Sequence, residues 1–75
     1  MKKLFAVYDK KLGEYGPPIT VDHVVEAMRW FEDLAKGSGV VGRYPEDFSM
    51  CEIGKYDVKS GKLESVSVQH VAGLS

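Results

Sequence analysis

Apolar positions fall into four blocks along the chain, and their spacing changes between blocks. Leu4-Phe5-Ala6-Val7-Tyr8 is a short apolar run held between Lys2-Lys3 and Asp9-Lys10-Lys11. Alternation puts Phe5 and Val7 on one face and Leu4, Ala6 and Tyr8 on the other. A strand with two apolar faces belongs in the centre of a sheet. From Val21 the period becomes helical. Val21, Val24, Ala27, Met28, Phe31, Leu34 and Ala35 share one broad face, while Asp22, Glu26, Arg29 and Asp33 occupy the opposite one. Thr20 or Asp22 is the expected N-cap, and Gly37-Ser38-Gly39 stops the helix after about Lys36. Two further strands are predicted, Phe48 to Tyr56 and Leu63 to Val71. In the second, Val66, Val68 and His70 alternate with Ser65, Ser67 and Gln69, the pattern of a strand with one wet face. The tail from Ala72 to Ser75 is predicted to fray.

Breakers divide these blocks. Gly13, Gly16 and Pro17-Pro18 make residues 9–19 a loop. Residues 37–42, with three glycines, read as a flexible connector and lack the Gly-rich phosphate-loop pattern. Pro45-Glu46-Asp47 is a turn that launches a strand, Gly54 is a bulge or a point of close approach, and Asp57 to Lys62 closes a hairpin. The expected class is therefore α+β. It is a small, mostly antiparallel three-stranded sheet in the order β-α-β-β, with one helix packed on one face. The first strand lies in the middle. A right-handed crossover through the helix would set it parallel to the next strand, and the alternative sets it antiparallel to the last.

Length and composition narrow the possibilities. A chain of 75 residues is one domain, 1–75, with a thin core. Cys51 is the one cysteine, so no intrachain disulfide reinforces it, and its position in mid-strand reads as a small core or edge residue. His23 and His70 are isolated from each other and from Cys51, so no metal is expected. A small domain with no staple commonly recruits a partner surface, and a homodimer is expected. The run from Leu4 to Val7 is too short for a signal sequence and nothing is long enough to span a bilayer, so an intracellular protein is expected.

Net charge is −1, which does not announce nucleic acid. Its distribution is uneven. Lys2, Lys3, Lys10 and Lys11 against Asp9 give residues 1–11 a charge of +3, whereas residues 20–36 carry −2. Such asymmetry can steer a ligand or a symmetric mate. No nucleophile–base pair, no paired carboxylates in an apolar setting and no cofactor fingerprint is visible. No catalytic residue, cofactor or enzymatic activity is expected. Trp30, at the border of the apolar helix face, is either a lid over the core rim or an anchoring or stacking residue.

Three segments carry a resemblance. They are Met1 to Asp9; Tyr44-Pro45-Glu46-Asp47-Phe48; and Glu52-Ile53-Gly54-Lys55-Tyr56-Asp57, followed by Ser60-Gly61-Lys62. In this order, with an aromatic-containing helix between the first two, they resemble the small non-structural proteins of gokushovirus-type microviruses, the single-stranded DNA phages. The glycine-rich residues 37–42 and the residues after Gln69 fall outside the resemblance. It implies a non-enzymatic accessory to viral genome replication in the host cytoplasm that binds single-stranded DNA, and it supplies no active site. Under that implication the candidate cations are Lys2, Lys3, Lys10, Lys11, Arg43 and Lys55, and the candidate aromatics are Trp30 and Tyr44, with Tyr15 and Tyr56 as further exposed rings. The alternative is a protein-interaction module that regulates a phage or host replication protein without touching nucleic acid. It would act through the helix border near Trp30 or through an exposed strand edge.

Overall fold

A computed structural model describes residues 1–73. The elements are β1 (Lys2–Asp9), β2 (Glu14–Tyr15), β3 (Ile19–Val21), α1 (Val24–Lys36), α2 (Val40–Arg43), a 3₁₀ turn (Pro45–Asp47), β4 (Phe48–Tyr56) and β5 (Leu63–Gly73). The strands form one five-stranded sheet in the order β2-β1-β4-β5, with β3 also paired to β1. Every pairing is antiparallel. The expected three-stranded α+β sheet is thus corrected to a mostly β domain with one substantial helix.

The reason lies in residues 14–21. The chain turns at Gly13 (φ 69°), which favours glycine, and comes back along β1. Tyr8 then faces Tyr15, and Lys3 faces Val21. By Val21 the chain has returned to the start of β1, so α1 must run towards the Asp9 end. β4 therefore begins there, with Phe48 opposite Asp9, and descends antiparallel to β1. This overturns the parallel crossover. It also places α1 later than expected. His23 is the N-cap, with no side-chain bond, and Val21 reaches the core from a strand. The connector 37–42 is likewise partly helical. A side chain on Gly42 would collide with the Gly37 carbonyl oxygen, so this glycine permits the close packing of α2 on the end of α1.

The central position of β1, the limits of β4 and the turn from Asp57 to Lys62 agree with the pattern of the sequence. Gly54 is both a bulge neighbour and a close approach. The register slips at Ile53, and a Cβ on Gly54 would sit 3.0 Å from the Glu64 carbonyl oxygen. β5 does not alternate cleanly, because its register against β4 shifts twice. Ala72 and Gly73 belong to this strand, whereas the fraying expected of Leu74 and Ser75 lies outside the described residues.

The core is one-sided. Phe5 of β1, Val21 of β3, Phe48 and Met50 of β4, and Ala27 and Phe31 of α1 are buried together. Val24, Trp30 and Val41 close its margin. Both helices lie on this face, and no described element remains to cover the other. The globular stability expected for this length is about 4–11 kcal/mol. Removing a buried Phe side chain costs about 3–5 kcal/mol. Phe31→Ala should therefore move the urea midpoint sharply down or leave the chain unfolded at room temperature, and Phe31→Leu, which keeps most of the volume, should restore most of the loss.

Candidate functional site

The structure splits the sequence-derived cations into two groups. Lys3 and Lys55 are directly opposite across β1 and β4, with Lys2 opposite Tyr56 beside them. Lys10 and Lys11 lie past the far end of β1, about 23 Å away at ~3.3 Å per residue. Arg43 and Tyr44 precede β4 at that far end, where the Lys10 N–H donates to the Asp47 carbonyl and its ammonium to the Glu46 carbonyl at 3.2 Å. Arg43 and Tyr44 therefore neighbour Lys10 and Lys11, and the Lys2–Lys3–Lys55 group stands apart. Trp30 joins neither group, because α1 holds it over the core margin.

Lys2 has a partner. Its ammonium is 2.9 Å from an Asp22 carboxylate oxygen. The hydrogen bond and the opposite charge raise Lys2 above the ordinary lysine value and lower Asp22 below the ordinary aspartate value. The pair's contribution is present above the ordinary carboxylate range and lost as pH falls through the depressed Asp22 value. At the alkaline end it is present below the ordinary lysine value and lost as pH rises through the elevated Lys2 value. Both groups are exposed, so salt screens the pair.

The uncovered sheet face carries a second constellation. By alternation from the buried Phe5, Phe48 and Met50, this face receives Tyr8 and Ala6 from β1 and Ser49 and Cys51 from β4. Ala6, Ser49 and Cys51 are buried although no helix lies above them, because they are small and sunk between taller neighbours. His70 of β5 closes over them. Its Nδ1 is 2.9 Å from Ser49 Oγ and 3.5 Å from Cys51 Sγ. In the neutral ring with Nε2 protonated, the Ser49 hydroxyl donates to Nδ1. The Tyr8 ring meets the His70 ring edge-on at 5.8 Å and the Tyr15 ring at 4.8 Å. Tyr15, Tyr8 and His70 thus form an aromatic row across the open face, with its ends, Tyr15 and His70, exposed.

Ser49 and Cys51 beside His70 bring a hydroxyl and a thiol to an imidazole, which sequence spacing did not reveal. The arrangement gives the buried Ser49 hydroxyl and Cys51 thiol a hydrogen-bond partner. Burial pushes the Cys51 thiol up, opposed only by its hydrogen bond with Ser49, so the thiolate is disfavoured. The described residues include no group of three or more His, Cys, Asp or Glu able to hold a metal.

On the helix side, a hollow of about 280 Å³ opens between α1 and the turn after β1. Trp30, Leu34, Val41 and Phe48 supply apolar wall, and Asp9 and Glu14 are the charged residues on its margin. A neighbouring hollow of about 330 Å³ shares Asp9, Leu12 and Phe48 with it.

These features define a small open-faced β-sheet domain, with an aromatic row on the uncovered face and an apolar hollow on the helix side. No described helix is long and apolar enough to cross a membrane. The chain belongs to the family described as Phage ORF5 protein, whose model matches residues 2–75, and it is thus a protein of a gokushovirus-type phage. It is similar to the protein named Protein ORF5 of Chlamydia phage 1, with 36% identity over 67 residues, covering 83% of this chain and 70% of the relative. No solved structure matches it.

Cys51 should resist alkylation in the native protein and react readily once urea exposes it, as followed by mass spectrometry. In an NMR titration the Asp22 carboxyl should have its midpoint below the ordinary aspartate value, and Lys2→Ala should bring it back up.

Proposed function

We propose that this phage protein binds single-stranded DNA through its open sheet face, as a non-enzymatic accessory to viral genome replication in the host cytoplasm. The observation that carries this reading is the Tyr15–Tyr8–His70 row. Exposed rings on an uncovered sheet are platforms on which successive unstacked bases can lie, and such stacking tolerates any base. Lys10 and Lys11, in the turn that follows Tyr8 and Asp9, supply the adjacent phosphate contacts. Of the residues named from the sequence, Lys2, Lys3 and Lys55 lie at the other end of β1, and Trp30 belongs to the helix side.

Such a binding mode is compatible with a net charge of −1. Binding rests on stacking, with few phosphates neutralised. Two contacts to a single strand give a log–log salt slope of about −1.4. Pairing two chains as a homodimer would double the platform without raising the cation requirement of each half.

A fluorescently labelled single-stranded oligonucleotide tests the proposal. Tyr15→Ala should weaken binding about tenfold, the scale of one lost base stack. Lys10→Ala combined with Lys11→Ala should flatten the salt dependence. Solution mass with and without the oligonucleotide reads the stoichiometry. Binding unchanged in Tyr15→Ala, or a slope several times steeper than −1.4, contradicts the proposal.

A further inference from the structure

The helix-side groove has a chemistry of its own, independent of the open face. Its two hollows share Leu12 and Phe48, so they form one groove with Leu12 as the partition. Leu12 is 70% exposed, and Val40 and Tyr44 along the same groove are also exposed. Large side chains exposed together around a concavity are a docking surface rather than scattered surface residues. At about 280 Å³ the hollow beside Trp30 lies just below the usual range of small-molecule pockets, about 300–1,000 Å³, and has room for one or two protein side chains.

The charges around it select the partner. Asp9, Glu14 and Asp47 line the two hollows, against Lys11 alone. On the α1 surface beside Trp30, the helical neighbours are Glu26 and Asp33. Among the described residues none of these carboxylates has a salt-bridge partner, since the one ion pair is Lys2–Asp22. One oxygen of Asp9 is committed to the N–H groups of Lys11 and Leu12, which fixes the carboxylate at the groove's edge. We infer that the groove receives a basic protein segment, with a bulky apolar side chain seated against Trp30 and Leu34 and flanking lysines or arginines meeting Asp9, Glu14 and Asp33. An apolar anchor ringed by complementary charges is the usual division of labour at a protein interface.

Trp30 is the one tryptophan of the chain and lines the groove, so it reports occupancy directly. The probes are a synthetic peptide with a central Leu-Phe flanked by lysines and its counterpart flanked by glutamates, each titrated into the full chain. The lysine peptide should shift or quench Trp30 emission and bind about tenfold more tightly than the glutamate peptide, the sum expected of a few exposed ion pairs. Glu14→Lys should shrink that ratio towards one. Leu12→Asp should abolish the response to the lysine peptide while leaving the far-ultraviolet circular dichroism unchanged, because Leu12 is an exposed loop residue. Equal affinity for the two peptides, or no change in Trp30 emission with either, overturns the inference. So does a Trp30 emission that changes with protein concentration alone, which assigns the groove to a second copy of the chain.

Discussion

One amphipathic helix can cover only one face of a sheet, and the architecture of this small domain follows from that constraint. Phe31 and Ala27 of α1 settle on Phe5, Phe48 and Met50, and the hydrophobic stabilisation of the chain is concentrated there. The opposite face must be closed by the strands themselves. Ala6, Ser49 and Cys51 accomplish this by being small, with Tyr8 and His70 standing over them. A larger residue at Cys51 would lift His70 and break its hydrogen bond to Ser49. The surface that results is sealed at its base and aromatic at its top. That combination lets an uncovered face persist in water and still offer rings to a ligand.

The path of the chain makes this possible. The short return along β1 through Tyr15 and Ile19–Val21 brings the helix back towards the Asp9 end. That reversal turns what would have been a parallel crossover into an antiparallel sheet, and it sets Tyr15 beside Tyr8. The hinge of both surfaces is the turn after Asp9. Its Asp9 carboxylate accepts from the Lys11 and Leu12 N–H groups and so fixes the turn that carries Lys11 and Leu12 along the groove and follows directly on Tyr8. The two candidate interfaces therefore share a turn while facing different directions.

Much of this was legible in the residues. β4 announced itself through Pro45 before it and Asp57 to Gly61 after it, because turn chemistry is local. β3 did not. Val21 lies one helical step before Val24, so its apolar side chain continues the helical phase and disguises a strand residue as a helix residue. β2 has two residues and exists only through its pairing with Tyr8 and Asp9, which leaves no local signature. The candidate site was legible only in its parts. Tyr15 was visible as an exposed aromatic, Cys51 as a small core or edge residue and His70 as the end of an alternating row with Val66 and Val68. That they share a surface with Tyr8 and Ser49 depends on sheet register and on two irregularities between β4 and β5, and no spacing rule encodes these. The cations had the opposite fate. Lys2 and Lys3 are close to Lys10 and Lys11 in sequence, but an extended strand carries them to opposite ends.

The central claim is that the uncovered face, not the helix side, is the nucleic-acid surface. The most direct measurement is an amide NMR map of the whole chain titrated with a short single-stranded oligonucleotide. The account predicts perturbations confined to Tyr8, Tyr15, Ser49, Cys51, His70 and the Lys10–Lys11 turn, with α1 unmoved. Perturbations centred on Trp30 and Leu34, or none at low salt, would contradict it.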